Sequence, residues 1–372
     1  MLMTSRRAVL LAGLATPFVA HAQSPTSNVL AEAMNDTTTP GMAALVLRDF
    51  KAEPELVAGV RRLGRPDLVR PGDRWHPGSN GKAMTATLIA RLVERGVLAW
   101  DKPLHVMLPG LAAVMRPEYR EVTLPDLLSH RAGLPENHAD MSFFNGFYAD
   151  AAPLPAQRLR YLTTALADAP AGPPRGDMIY SNTGLLTAAA AAEHATGKPF
   201  ETLIVEEVFQ PLGMRSISFD QFGGVGEPSG HVDGRPADKV TDANPRMFAP
   251  AGAMRLTMGD WGRFCIDQMR GEHGQGRLLK PETYRFLHTG QGETRSALGW
   301  GASPRPMGLT GPALTHAGSD GNWYALVVLF PQTGSGALVI ANAADSMGGD
   351  KAAMVATRAL ASTVAAPAPT AP

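Results

Sequence analysis

Apolar positions cluster in short runs near the two ends of the chain. Residues 42–49 and 55–64 are short, β-prone segments with a polar stretch between them. Three more such segments, 312–318, 322–331 and 336–344, follow towards the C-terminus with glycine turns between them. Short β-prone segments with close connections are typical of antiparallel strands. The pattern therefore predicts one antiparallel sheet that is built from both ends of the chain.

The middle of the chain has a helical rhythm instead. A first helix is predicted over 79–97, directly after a proline-glycine turn. Further helices are predicted among loops rich in proline and glycine, at 124–130, 154–168, 183–196 and 199–213, with a last one at 351–363. We expect an α+β fold, in which helices flank the sheet and an all-helical lobe is inserted between its strands. The cleft between the lobe and the sheet is where a ligand is expected.

Residues 1–22 have the pattern of an export signal. A twin arginine at positions 6 and 7 precedes a short apolar stretch, and Ala-His-Ala closes the segment. The stretch is too short to span a bilayer, and the twin arginine favours the bacterial Tat route. We therefore expect a periplasmic or secreted protein with no stable membrane insertion. Residues 23–364 are predicted to form the folded domain, and residues 365–372 a disordered tail.

Composition excludes several functional classes. The chain has 34 lysines and arginines against 34 aspartates and glutamates, so no basic field is available for nucleic acid. Cys265 is the only cysteine, which excludes an internal disulfide. The chain has no H-E-x-x-H motif and no cysteine pair for zinc, and no complete phosphate or dinucleotide loop. We predict no metal and no cofactor, and a small molecule or peptide as the partner. The sequence does not indicate an oligomeric state.

Ser79 and Lys82 stand three residues apart where the first predicted helix begins. At this spacing both side chains share a face, and the free N–H groups of a helix start favour an oxyanion. A desolvated Lys82 could lose its proton and act as a base towards Ser79. The alternative is that Ser79 caps the helix and Lys82 is a solvated surface charge. The spacing alone is a weak signal.

A second pair, Tyr180 and Asn182, follows a proline-rich loop and precedes the helix predicted over 183–196. Tyr180 could share a proton with Ser79 and Lys82. The amide of Asn182 could bind a carbonyl or an N–H of a substrate. Taken alone, this pair favours the alternative, in which Tyr180 is an ordinary half-buried aromatic residue and Asn182 is a helix N-cap.

A third group ends one of the late strands. His316 is expected to point into the cleft, and Gly318 to let a substrate approach the strand closely. The backbone N–H of Ser319 could pair with that of Ser79 to form an oxyanion hole. The alternative is a hairpin with a polar histidine near its tip. Trp75 and His76, just before Ser79, are expected to shape the entrance.

The order S-x-x-K, Y-x-N, H-x-G resembles the penicillin-recognising serine hydrolases. The branch of class C β-lactamases, D-Ala-D-Ala carboxypeptidases and related esterases is the most similar. The resemblance extends over 28–364 and includes "VTLPDLLSHRAGLP", "YSNTGLLTAAAAAEHATGKPFETLIVEEVFQPLGM", "PAGAMRLTMGDWGRF" and "ALGWG". The family implies a fold with an antiparallel sheet flanked by helices and an all-helical lobe, which agrees with the pattern above.

The family also implies a mechanism without metal or cofactor. Ser79 attacks a carbonyl and forms an acyl-enzyme, while Lys82 and Tyr180 together move the serine proton to the leaving group. Asn182 holds the acyl side chain, and the amides of Ser79 and Ser319 stabilise the oxyanion. The resemblance leaves open which of Lys82 and Tyr180 is the main base.

The third motif departs from the true class C β-lactamases, which carry a lysine at the position of His316. A lysine is a permanent cation for a substrate carboxylate, whereas a histidine is cationic only near or below about pH 6.5. The H-x-G form is more typical of the peptidase and esterase branches. We therefore expect a hydrolase acting on a β-lactam, a D-Ala-terminated peptide or a small ester. The alternative is a penicillin- or peptide-binding sensor module that keeps the cleft without turnover.

Overall fold

The computed structural model describes residues 28–224 and 226–365. The predicted signal segment and residues 366–372 of the predicted tail lie outside these ranges, so both stay predictions. Across the two ranges, no helix has the length and apolar character needed to cross a membrane.

A seven-stranded antiparallel sheet forms the centre of the fold. Its strands run in the order β2–β1–β11–β10–β9–β8, and β3 pairs with β1 beside β2. The strands of this sheet are β1 Gly41–Arg48, β2 Lys51–Ala52, β3 Leu56–Gly59, β8 Gly301–Ser303, β9 Ala313–Ser319, β10 Tyr324–Phe330 and β11 Ser335–Ala341. Two small ribbons pair β4 Arg74–Trp75 with β7 Leu256–Thr257, and β5 His231–Val232 with β6 Arg235–Pro236.

Both faces of the sheet are buried, which explains why its central strands are almost continuously apolar. On the inner face, Leu45 of β1 and Val327 of β10 both lie opposite Leu338 of β11. Side chains of the outer face, such as Val46 and Val339, belong to a second apolar cluster that includes the terminal helices. The two ends of the chain therefore supply both the strands of the sheet and the terminal helices that cover its outer face.

Eleven α-helices occur in the described ranges, in addition to short 3-10 and π-helical turns. They are α1 Val29–Met34, α2 Gly81–Glu94, α3 Leu104–Met107, α4 Leu124–Leu128, α5 Met141–Gly146, α6 Leu154–Ala165, α7 Asn182–Thr196, α8 Phe200–Ile204, α9 Met258–Glu272, α10 Pro281–His288 and α11 Gly349–Ser362. Helices α3 to α8 form the inserted helical lobe. Their position between the early and late strands confirms the predicted α+β architecture.

Two helix predictions differ in detail from the structure. The first helix begins with a 3-10 turn, Gly78–Asn80, and α2 continues from Gly81. The segment 199–213 is split into α8 and a π-helical turn, Val205–Phe209. Strand β8 was not predicted, because three residues are too few for a periodicity to show.

Candidate active site

Ser79 lies in the 3-10 turn rather than in the helix. The turn is held by Asn80, whose side-chain amide donates to the carbonyl of Pro77 at 2.8 Å. Gly78 has a φ of 56°, in the left-handed region that favours glycine. This local geometry presents Ser79 at the wall of a cleft while the rest of the turn is buried.

Lys82 is fully buried beneath Ser79, with 0% of its side chain exposed. Its ammonium nitrogen Nζ lies 2.9 Å from Ser79 Oγ and 2.7 Å from the carbonyl oxygen of Ala251. Burial lowers the pKa of Lys82 well below its ordinary value of 10.5, and the negative charge of Glu136 only partly opposes this effect. The alternative of a solvated surface lysine is wrong, since the amine sits in a site that favours its neutral form.

Tyr180, from the helical lobe, is the second side chain that contacts the Ser79 hydroxyl. Its phenol donates a hydrogen bond of 2.6 Å to Ser79 Oγ, and Lys82 Nζ lies 4.9 Å from the centre of its ring. Burial raises the pKa of Tyr180 to about 12, so the phenol keeps its proton at neutral pH. The ring of His130 packs against that of Tyr180 at a tilt of 32°, with 4.6 Å between centroids, and its Nδ1 accepts the N–H of Ser181 at 3.1 Å. The histidine thus fixes both the ring and its backbone.

Asn182 is the first residue of α7, and Ser181 is the N-cap, because its Oγ accepts the N–H of Gly184. The cap alternative for Asn182 is therefore wrong. Its side-chain amide instead donates to Asn137 Oδ1 at 3.1 Å and lines the cleft. Both lobes thus contribute: the turn at Ser79 from one side, and the start of α7 from the other.

Strand β9 runs directly against the turn that carries Ser79. A Cβ on Gly318 would lie 2.2 Å from the carbonyl oxygen of Pro77 and 2.8 Å from the Ser79 nitrogen. In turn, a Cβ on Gly78 would lie 2.8 Å from the Ser319 nitrogen. Glycine at both positions lets the backbone nitrogens of Ser79 and Ser319 come close together at the cleft. The glycine at 318 is needed for this packing, in addition to the predicted approach of a substrate.

His316 lies on the same strand and is half-buried. Its Nδ1 lies 2.7 Å from the carbonyl oxygen of Ala317, so a neutral ring carries its proton there. Burial and the nearby Lys82 lower the pKa of His316 to about 4. Among the described residues, the cleft wall includes Ala317, Gly318 and Ser319 but not His316. At neutral pH the third motif therefore adds no positive charge.

Trp75 and His76 do not shape the entrance, because each is only 1% exposed. His76 Nδ1 lies 3.1 Å from Asp320 Oδ2, and both groups are buried. Asp320 Oδ1 also accepts the N–H groups of Asn322 and Trp323, at 3.1 and 3.2 Å. This contact links the segment before the nucleophile with the turn after Ser319. Burial raises the pKa of Asp320 to about 7.

Sequence reasoning missed several residues of the cleft, notably Glu136, Asn244 and Gly252. A Cβ on Gly252 would lie 2.1 Å from the Gly78 carbonyl oxygen, so this glycine lets a second loop close on the nucleophile turn. The stretch "PAGAM" around it is part of the family resemblance. Its contact with residue 78 could not be predicted, because the whole helical lobe lies between the two positions in the sequence. For Glu136 and Asn244 no local signal distinguishes them from ordinary loop residues.

The cleft has a volume of about 280 Å³. No group of three histidine, cysteine or acidic side chains able to hold a metal occurs in residues 28–224 and 226–365. The arrangement is that of a hydroxyl with a buried amine and a phenol at hydrogen-bond distance, in a cleft that Ser319 also lines. Such a group is suited to nucleophilic attack on a carbonyl.

Several known proteins are similar to this chain in sequence and in fold. Penicillin-binding protein 4 of Amycolatopsis lactamdurans is 26% identical over 332 residues, which cover 82% of this chain and 81% of that protein. The D-alanyl-D-alanine-carboxypeptidase/endopeptidase AmpH of Escherichia coli K12 is 28% identical over 159 residues, 41% of this chain and 40% of that protein.

A solved structure agrees in fold. The octameric penicillin-binding protein homologue from Pyrococcus abyssi superposes with a TM-score of 0.74 at 19% identity, over 90% of this chain and 76% of that one. The family model described as Beta-lactamase matches residues 26–361. The chain therefore belongs to the Beta-lactamase family of serine hydrolases.

Proposed function

We propose that this protein is an exported hydrolase that forms an acyl-enzyme at Ser79 on an amide or ester substrate. The observation that carries the proposal is the double contact of Ser79 Oγ, with Lys82 at 2.9 Å and Tyr180 at 2.6 Å. A serine hydroxyl is a weak nucleophile until a neighbouring base takes its proton. Both neighbours lie within the distance that such a transfer requires.

The electrostatics divide the roles between the two neighbours. Lys82 has a lowered pKa and is the proton acceptor in its neutral form, whereas Tyr180 has a raised pKa and is a proton donor. In the first step Ser79 Oγ bonds to the carbonyl carbon, and its proton passes to Lys82. Tyr180 then donates a proton to the leaving nitrogen or oxygen and regains one from Lys82. Water releases the acyl group by the reverse route.

Two further groups bind the substrate in this proposal. The N–H groups of Ser79 and Ser319 stabilise the tetrahedral oxyanion, each worth about 3 kcal/mol of the barrier. Asn182 binds the acyl side chain. His316 stays neutral at pH 7 and does not line the cleft. The substrate is a β-lactam, a D-Ala-terminated peptide or a small ester.

The test is covalent labelling followed by turnover. A fluorophosphonate probe and a fluorescent penicillin are incubated with the wild type and with Ser79→Ala, and the adduct is located by mass spectrometry. An adduct on Ser79 that is absent from the variant supports the proposal, and equal labelling of both proteins contradicts it. Hydrolysis of nitrocefin, a D-Ala-D-Ala peptide and p-nitrophenyl acetate then separates an enzyme from a sensor module, which binds without releasing product.

Export forms the second part of the proposal and rests on the twin arginine at positions 6 and 7. In a bacterial host with a Tat system, the full chain should deliver hydrolase activity to the periplasm. Replacing both arginines by lysine should keep that activity in the cytoplasm. Periplasmic activity that survives the double replacement would contradict the Tat route.

A further inference from the structure

The cleft carries one kind of charge. Among the described residues that line it, Glu136 is a carboxylate, and none is a lysine, an arginine or a histidine. The remaining polar wall consists of neutral groups such as the amides of Asn182 and Asn244. A substrate entering this cleft therefore meets a negative side chain and no positive one.

The groups beneath the wall do not reverse this charge. Neither Lys82 nor His316 lines the cleft, burial lowers the pKa of Lys82, and the pKa of His316 is lowered to about 4. Glu136 lines the same cleft as Ser79 and Tyr180, so its carboxylate shares the space that a substrate enters. Its negative charge raises the pKa of both Lys82 and Tyr180, although burial is the larger influence on each.

Glu136 also has a fixed place relative to the acyl side of the site. Its carbonyl oxygen accepts the N–H of Asn182 at 2.9 Å, and the residues before and after it are tied to the same helix start. Ser181 Oγ donates to the Pro135 carbonyl at 2.7 Å, and Asn182 Nδ2 donates to Asn137 Oδ1 at 3.1 Å. Three consecutive residues are thus anchored, while the carboxylate itself stays exposed at the cleft.

We infer that the substrate carries a free ammonium group on its acyl side, which pairs with Glu136. This inference rests on the proposed function. The substrate class is then an amide or ester of an amino acid, or the first residue of a short peptide. A cleft of about 280 Å³ lies at the small end of ligand sites and suits one residue. Substrates whose acyl side carries a carboxylate meet repulsion instead.

The bond changes are those of the acyl transfer above. Ser79 Oγ forms an ester with the carbonyl carbon of the amino acid, and the C–N or C–O bond to the leaving group breaks. The serine proton ends on the leaving group. Water then hydrolyses the ester and releases the free amino acid, with no oxidant or co-reactant.

The experiment uses three p-nitroanilides of alanine that differ only at the amino group: free amine, N-acetyl and N-succinyl, each as both enantiomers. The wild type should show its highest kcat/KM for the free amine and its lowest for the succinyl compound. Glu136→Gln should reduce the ratio of amine to acetyl by about threefold to tenfold, the range of a partly exposed charged contact. Glu136→Lys should make the succinyl compound the better substrate.

A control variant and a pH series make the result specific. Glu293→Gln removes an exposed carboxylate that does not line the cleft, so the ratio should not change. The amine preference should also vanish as pH rises above about 8, where an α-amino group loses its charge. The N-acetyl compound has no such group and should not share that loss.

Failure of the inference differs from failure of the proposed function. If fluorophosphonate does not label Ser79, the proposed function fails. If Ser79 is labelled but the acetyl or succinyl compound is preferred, or Glu136→Gln leaves the ratio unchanged, the inference is overturned and the hydrolase stands. The inference is also overturned if Ser79 is labelled and no anilide is hydrolysed.

Discussion

Lys82 and Arg158 are both buried to 0% exposure, yet the fold treats the two cations in opposite ways. Arg158, on α6, contacts the carboxylates of Glu193 and Glu201 and also donates to the Met247 carbonyl at 3.2 Å. Its pKa is raised above the ordinary value, and it links three elements of the helical lobe. Lys82 contacts the hydroxyl of Ser79 and the carbonyl of Ala251. Among residues 28–224 and 226–365, no carboxylate lies within salt-bridge distance of it.

The difference shows how one fold makes one buried cation structural and another reactive. Burial of a charge costs several kcal/mol, which nearby carboxylates offset only if they are close and well aligned. Arg158 has such partners and stays charged. Lys82 lacks them, so burial lowers its pKa and favours the neutral amine, the form that can act as a base towards Ser79. The presence or absence of neighbouring carboxylates, rather than the depth of burial, separates the structural cation from the reactive one.

Replacing Lys82 by Met is the largest change expected from this comparison. A general base contributes about 10²–10⁴-fold to rate, so acylation should slow by about 10³-fold or more. Folding stability should not fall, since a buried amine is exchanged for an apolar chain of similar length. Stopped-flow acylation and urea unfolding measure the two quantities. Lys82→Arg, which keeps a permanent charge, should be equally inactive, and an active Lys82→Arg would refute the base role.

Arg158→Met should lower the stability of the fold, whereas Lys82→Met lowers the rate of acylation. The substitution leaves one buried carboxylate, Glu193, and one partly buried carboxylate, Glu201, without their cation, so the free energy of unfolding should fall by about 3–5 kcal/mol. Adding Glu193→Gln and Glu201→Gln should restore part of that loss. Arg160→Met, on the same helix but at the surface, should cost less than about 1 kcal/mol. Similar losses for positions 158 and 160 in urea titrations would argue against this assignment.

Asp320 extends the comparison to a buried acid that faces a neutral histidine. Its folded pKa is raised from 3.8 to about 7, so the folded state binds the proton more tightly than the unfolded state does. Its contribution to stability is therefore present below pH 3.8 and lost as pH rises through about 7. Relative to Asp320→Asn, the wild type should lose about 4 kcal/mol over that range, which is the free energy that corresponds to a rise in pKa from 3.8 to about 7. A pH-independent difference between the two proteins in urea unfolding would refute this expectation.

The smallest effect concerns the acid limb of the pH–rate profile. Activity should fall as pH drops through the lowered pKa of Lys82, because the protonated amine accepts no proton. Glu136 raises that pKa, so Glu136→Gln should move the acid limb to lower pH. His130 and His316 have pKa values of about 3 and 4 and do not titrate near neutrality. Profiles of kcat with N-acetyl-alanine p-nitroanilide measure the shift. An unmoved limb would show that another group controls it.

The sequence by itself determined five of the seven strands of the central sheet, the longer helices of the lobe, and the residues that contact Ser79 Oγ. These features are local: short β-prone segments, a helix start after proline and glycine, and three short motifs whose joint order is specific. It also determined that Tyr180 and Asn182 stand at the start of one helix, although it did not decide which residue caps it.

Only the tertiary structure decided what those residues can do. The lowered pKa of Lys82 follows from burial under segments far away in sequence, including the loop of Ala251, whose carbonyl contacts the amine. The neutral state of His316 and the burial of His76 depend equally on packing, so the sequence placed His76 wrongly at the entrance. Glu136 reaches the cleft because its loop is tied to the start of α7. Protonation and charge in a cleft depend on distances between remote segments, which no local pattern records.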